Sequence, residues 1–369
     1  MASWSVVKLR TIAAAFLAVG SFATPFPPGV LGVFTTSVRV GADPNSLVVD
    51  PSGKYAYVGN LASGTVSVLN LATDRVTATI ATGQLPSGLA LTPNSHLLYV
   101  ASNYANGVSS GPTVDVVDTA TNRVIRRIDV GGGASDVAVS PDGRYAYVAG
   151  GNPPGVQIVS TSSQKVVGSL STANGADQVA VSPSGRTLYV LTGAVYGPVQ
   201  LQSEGTGTKT VQFRPKSYLY TIDIASGRVI TTANQVGVVP FGLAIDPKGS
   251  YVYETFAGGP GLGDIAVDVV STSTNAVVKT IRFGSGANGI AVNPNGRLAY
   301  VCNPGAGVLS VINTSANAVI GTIRLPAVPD FSPWAVAVSP NSEQAYVANS
   351  RAQPPPSTGT VSVIDLAHP

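Results

Sequence analysis

Residues Val137 to Val148 read VAVSPDGRYAYV. A short apolar run ends in a polar residue and a Pro, two turn residues follow, and an aromatic-rich run closes on Tyr-Val. Pro holds φ at about −65°, which suits the first central position of a tight turn, and the Gly behind it can take φ > 0. The segment is therefore a hairpin of two short strands. Both faces of Val137-Ala138-Val139 are apolar, as expected of a strand packed between two neighbouring sheets.

The same unit occurs seven times. It reads LVVDPSGKYAYV from Leu47, LALTPNSHLLYV from Leu89, VAVSPSGRTLYV from Val179, LAIDPKGSYVYE from Leu243, IAVNPNGRLAYV from Ile290 and VAVSPNSEQAYV from Val336. The marker prolines are Pro51, Pro93, Pro141, Pro183, Pro247, Pro294 and Pro340, spaced by 42, 48, 42, 64, 47 and 46 residues. A second hairpin follows each first one, as in TVSVLNLATDRVTATI from Thr65, TVDVVDTATNRVIRRI from Thr113 and VLSVINTSANAVIGTI from Val308. There, β-branched runs flank a polar turn. Four short strands per period of about 40–50 residues is the size of one propeller blade.

The expected fold is all-β, a seven-bladed β-propeller of four-stranded antiparallel blades. The density of Pro, Gly and β-branched residues excludes a helical solenoid. The 64-residue spacing is too short for an extra blade, so Gly193 to Ser217 is expected to be an inserted loop or small hairpin in blade 4. The last unit stops after three strands at TVSVIDLAHP, while VFTTSVRVG, Val33 to Gly41, precedes the first. This N-terminal strand is expected to complete the last blade and close the ring, which removes exposed sheet edges.

The runs Tyr57-Val58-Gly59-Asn60, Tyr300-Val301-Cys302-Asn303 and Tyr346-Val347-Ala348-Asn349, with the TVSVLN and TVSVID segments, resemble YVTN-type β-propeller repeats. The resemblance spans about Pro44 to Leu366. It implies a secreted or surface propeller, WD40/YVTN-like in architecture and distantly related to lactonase-like and quinoprotein-associated propellers. Blade 5 departs from the signature with Tyr253-Glu254-Thr255-Phe256, and blade 4 with Tyr189-Val190-Leu191-Thr192. The motif asparagines Asn60, Asn303 and Asn349 are expected to hold turns by bonding nearby backbone.

Lys8 and Arg10 precede an apolar run, Thr11 to Ala23, and small residues Ser21 and Ala23 stand at −3 and −1 of a cleavage before Thr24. Residues 1–23 therefore read as a secretory signal, and 24–369 as the propeller, exported to the periplasm, the cell surface or the medium. The run is shorter than the roughly 20 residues of a membrane-spanning helix, so no span is expected after removal of the signal. Without Lys8 and Arg10 the chain holds 19 basic and 18 acidic residues, which is no nucleic-acid footprint. Cys302 is the sole cysteine, so no intrachain disulfide can form. A monomer is expected.

In a propeller, the positions just before each innermost strand point into the mouth of the central channel. They are Asn45-Ser46, Ser87-Gly88, Ser135-Asp136, Asp177-Gln178, Phe241-Gly242, Asn288-Gly289 and Trp334-Ala335. Asp136, Asp177 and Gln178 form a polar sector, with Phe241 and Trp334 as aromatic surface, a plausible small-ligand site to which Asn288 and the rim residue Arg351 are added. The bland reading is that these polar groups only satisfy loop amides.

Glu254 stands where the other six units carry Val58, Val100, Val148, Val190, Val301 and Val347. A carboxylate there needs a partner, a proton or water. The expected partner is Lys209, Arg214 or Lys216 of the insertion; the chemical alternative makes Glu254 an acid/base or metal ligand beside Asp177. Asp264 is a weaker rim candidate. His96, on the opposite rim, and His368 offer no pair for zinc, haem or a Ser-His-Asp triad. No cofactor is expected, with Ca²⁺ or another divalent metal held by carboxylates left open. The leading expectation is a binding scaffold that presents the mouth to a protein or small molecule. The alternative is a metal-assisted lactonase-like hydrolase or lyase using Glu254 with Asp136 or Asp177. A third reading places the chain beside a quinone or haem partner.

Overall fold

The computed structural model describes residues 32–82, 85–103, 114–151, 153–173, 175–193, 195–196, 201–203, 209–211, 215–236, 240–256, 265–283, 286–326, 331–351 and 358–366. Among them every regular element is a strand, and no helix is long and apolar enough to cross a membrane. The expected leader, residues 1–23, lies outside the described residues.

Seven antiparallel blades stand in a ring. The innermost strands of blades 1 to 7 are Pro44–Val49, Leu85–Leu91, Ala134–Val139, Gln178–Val181, Pro240–Ile245, Ile290–Val292 and Phe331–Val338. Each is followed outward by the Tyr-Val strand and then by two more. Neighbouring innermost strands pack against one another round the whole ring, blade 7 against blade 1 included. Blade 7 takes its outermost strand from the N-terminus. Val33–Arg39 pairs antiparallel with Thr360–Asp365, with Ser37 opposite Ser362. Val40 N–H donates to the Gly359 carbonyl at 3.0 Å and Gly359 N–H to that of Gly41 at 2.8 Å, which ties the junction. In blade 4 the insertion is a hairpin extension. Val195–Tyr196 pairs with the start of the third strand, Pro215–Asp223, and Leu201–Ser203 pairs with Lys209–Val211.

The polar residue before each marker Pro explains why the unit folds as it does. Its carbonyl accepts the turn hydrogen bond, as Asp50 does from Gly53 N–H at 2.9 Å and Ser140 from Gly143 N–H at 2.8 Å. Its side chain clamps the start of the next strand. Asp50 Oδ1 accepts from the Lys54 and Tyr55 N–H groups at 2.8 and 2.9 Å, and Asp246 and Asn293 repeat this in blades 5 and 6. The Gly closing the turn has φ near +70°, at Gly53, Gly143, Gly185, Gly249 and Gly296, and packs on the marker Pro of the preceding blade. Gly53 packs on Pro340, so this interlocking also crosses the closure.

One Tyr per blade wedges each seam: Tyr57, Tyr99, Tyr147, Tyr189, Tyr253, Tyr300 and Tyr346 are all buried. Each belongs to a separate apolar cluster spanning two adjacent blades, so the core is seven seams rather than one centre. Truncating such an aromatic costs about 3–5 kcal/mol in a well-packed core.

Candidate functional site at the channel mouth

A β-bulge aims the mouth residues. In five blades the ladder between the innermost strand and its neighbour slips by one residue at the strand's start. The residue left unpaired is Asn45, Ser87, Ser135, Phe241 or Trp334. A bulge bends its strand and redirects the extra side chain, here toward the central axis. The innermost strands of blades 4 and 6 begin one and two residues later, just beyond the equivalent positions Asp177 and Asn288.

These side chains converge on one cavity of about 220 Å³ lined from all seven blades. Asn45, Ser87, Asp136, Asp177, Gln178, Phe241 and Trp334 all line it. Asn288 does not; it is buried, and its carbonyl accepts from Thr255 Oγ1 at 2.5 Å. Phe241 and Trp334 meet edge to face, with centroids 5.9 Å apart and planes at 85°. They belong to blades 5 and 7 and reach each other over blade 6, where Gly289 stands. A Cβ on Gly289 would lie 2.7 Å from the Trp334 carbonyl, so only Gly lets the backbone of blade 7 come this close to blade 6.

The residue after each bulge position faces the next blade. Most are small because backbone lies there: a Cβ on Gly88 would sit 2.6 Å from the Asp136 Cα. Asp136 and Gln178 are larger and act as staples. Asp136 Oδ2 accepts from Val179 N–H of blade 4 at 3.1 Å, and the Gln178 amide donates to the Phe241 carbonyl of blade 5. Asp136 is half-buried, with protein around it on every side but the funnel. Desolvation lifts its carboxyl to about 7, against the pull of the Val179 and Val137 N–H groups. Asp177 is exposed at the lip and is not without a partner of its own.

Glu254 lies elsewhere. It is fully buried in the seam between blades 4 and 5, where Val252, Val270 and Leu243 of its own blade meet Tyr189, Leu191 and Leu219. Its ladder partners are Leu243 and Asp268. Neither carboxyl oxygen has a hydrogen-bond partner among the described residues. Burial first, and the Asp268 carboxyl second, push its pKa well above the ordinary value. Asp268 is itself held by Thr280, whose Oγ1 donates to Oδ1 at 2.6 Å. The structure thus sets Glu254 against a carboxylate, not against Asp177 or Asp136. Of its expected cationic partners, Arg214 lies outside the described residues. So do the side chains of Lys209 and Lys216.

Asp264 and the side chain of Arg351 also lie outside the described residues. His96 lines a separate cavity of about 410 Å³ on the opposite rim, with Asn94, Asp142 and Thr161. Among the described residues no three His, Cys, Asp or Glu side chains cluster as metal ligands. The motif asparagines are structural in a different way from the one expected. Asn60 and Asn349 donate to hydroxyls of the next strand, Ser67 and Ser362, each at 2.9 Å. Asn303 does hold its turn, accepting from Ala306 N–H at 3.2 Å. The bulges and the Glu254–Asp268 pairing escape a reading of single segments, although Asp268 in AVDV, where three blades place Ser, was a visible signal.

No protein-family model and no curated protein matches the chain. Among solved structures it is similar to one titled Kuenenia stuttgartiensis Hydrazine Synthase, with a TM-score of 0.71 and 21% identity, over 88% of this chain and 97% of that one. At that identity the likeness shows the propeller fold and nothing finer.

Proposed function

We propose that the chain is an exported, monomeric binding scaffold of the YVTN-type propeller kind, with its ligand site at the channel mouth. One observation carries this reading: bulges redirect side chains from separate blades into a single cavity with a polar and an aromatic sector. Bulges placed repeatedly at one rim are the usual device for aiming a site. Rigid inner strands hold it, and a pre-formed concavity with few polar groups is how small ligands are recognised. Export rests on the leader, residues 1–23, with cleavage before Thr24.

The test is a ligand-observed screen of mixed fragments against the mature chain, repeated on Trp334→Ala and on Phe241→Ala. Hits should be lost in both variants while thermal unfolding stays cooperative. Hits that survive both substitutions would refute the mouth as the site. The competing lactonase-like reading predicts turnover of a lactone that Asp177→Asn abolishes; turnover of this kind would replace the scaffold reading.

A further inference from the structure

We infer that the outermost strands of blades 3 to 5 form a docking surface for an anionic lipid bilayer. The inference concerns the rim opposite the mouth and does not depend on what the mouth binds.

In every blade the outermost strand slips by one residue soon after its start, leaving one residue unpaired on the circumference. Bulges of this kind keep an exposed edge from pairing with another chain. In blades 7 and 1 the unpaired residues are Thr35 and Thr77, whose hydroxyls donate to the Val363 and Val68 carbonyls at 3.0 and 3.3 Å. Guarding the edge therefore needs no apolar side chain. In blades 3, 4 and 5 the residue is instead Val167, Ile230 or Val278, exposed by 56%, 55% and 50%. The residue before each, Val166, Val229 or Val277, is exposed as well. Its counterpart in the other four blades, Phe34, Val76, Val124 or Val319, is half-buried.

A cation adjoins each exposed doublet, in Lys165-Val166-Val167, Arg228-Val229-Ile230 and Val277-Val278-Lys279. The strands Lys165–Ser171, Val229–Val236 and Ala276–Phe283 contain no Asp or Glu. Lys165, Arg228 and Lys279 take no part in the two ion pairs found among the described residues. On the turns of this rim in blades 3 to 5 and at the starts of their outermost strands, every residue is described. These segments hold six cations, Arg144, Lys165, Arg186, Arg228, Lys248 and Lys279, and three acids, Asp142, Asp223 and Asp246. Asp142 already lies 3.9 Å from Arg144, and Asp246 is buried.

The doublets belong to one arc. Gly227, in the turn leading to Val229, lies against blade 3, where a Cβ would meet Leu170 Cδ2 at 3.2 Å. Thr221 of blade 4 donates to Asn275, in the turn leading to Val277, at 3.2 Å. Exposed Val and Ile interleaved with Lys and Arg fit an interface that offers apolar depth and negative charge together, as an anionic bilayer does. A soluble acidic polymer would use the cations and leave the doublets in water. A second copy of the chain would set like charges against each other. Docked in this way, the chain lies on the membrane with its mouth turned away.

The test is co-sedimentation of the mature chain with vesicles of phosphatidylcholine alone, or of equal parts phosphatidylcholine and phosphatidylglycerol. Binding should be confined to the anionic vesicles and weaken with salt. At about fivefold per cation near such a surface, Lys165→Gln/Arg228→Gln/Lys279→Gln should weaken it roughly a hundredfold. Arg39→Gln/Arg75→Gln/Arg324→Gln removes the same charge from exposed sites on blades 7, 1 and 6, and should weaken it about fivefold at most. Val167→Ser/Ile230→Ser/Val278→Ser should weaken it about tenfold or more. All nine side chains are exposed, so thermal unfolding should be unchanged in the three variants. No sedimentation with the anionic vesicles, or equal losses in the two charge variants, would overturn the inference. Full binding in the Ser variant would overturn it too, because charge alone would then be read, as by an acidic polymer. None of these results alters the fragment screen at the mouth, so the two readings fail separately.

Discussion

Glu254→Val exchanges a fully buried carboxyl for the residue that the other six blades carry at the same position. Both Glu254 oxygens lack hydrogen-bond partners among the described residues, and such a buried polar group costs about 1–3 kcal/mol. A Val in the same seam, among Leu191, Leu219 and Val270, gains about 1.5–3 kcal/mol of burial. The substitution should stabilise the fold by about 2.5–6 kcal/mol, or roughly 5–12 °C in Tm at about 2 °C per kcal/mol for a chain of this size.

The gain should also depend on pH. Burial and the Asp268 carboxyl raise the folded-state pKa of Glu254 above 4.5, the value expected unfolded. Below 4.5 both states hold the proton, and the full contribution of this group is present. Above it the unfolded chain ionises first, so wild-type stability falls by about 1.4 kcal/mol per pH unit until the folded value is passed. Val cannot ionise, so its advantage grows from pH 4 to pH 8. Equilibrium urea unfolding, followed by Trp334 fluorescence at pH 4, 6 and 8, measures this, with Glu254→Gln as the isosteric control. A Val variant less stable than wild type at pH 8, or an advantage equal at pH 4 and pH 8, would refute the reasoning.

Two further outcomes are expected. Ser95 and Ser342 occupy the turn position that Gly takes in the other blades, with φ of 60° and 64°. Ser95→Gly and Ser342→Gly should each stabilise by about 1 kcal/mol in the same unfolding assay, since a non-Gly residue in that region is strained. Cys302 is fully buried, and desolvation pushes its thiol pKa up, so iodoacetamide should leave the native chain unlabelled by mass and modify it only on unfolding.

Much of the architecture was legible because each blade repeats its own local chemistry. A polar residue, Pro and Gly state a turn that the Asp50 and Asp246 clamps then complete within a few residues. The closing strand was legible from a deficit, three strands in the last unit and a spare one at the start, and Val33–Arg39 takes that place. The mouth positions followed from the same register. What stayed hidden depends on contacts between blades. The Asp136 carboxylate reads as a free acid until Val179 is placed beside it. Phe241 and Trp334 lie far apart in sequence and meet only when blades 5 and 7 are placed in the ring. Glu254 was visible as an anomaly, but its neighbour Asp268 lies on the next strand, and the basic insertion was the nearer candidate in sequence.

Amide hydrogen exchange over residues 33–39 tests the closed ring most directly. The account predicts slow exchange there, comparable to that of Thr360–Asp365, because the two strands share one ladder. Residues 33–39 exchanging as fast as a free tail, with the inner strands still protected, would contradict it.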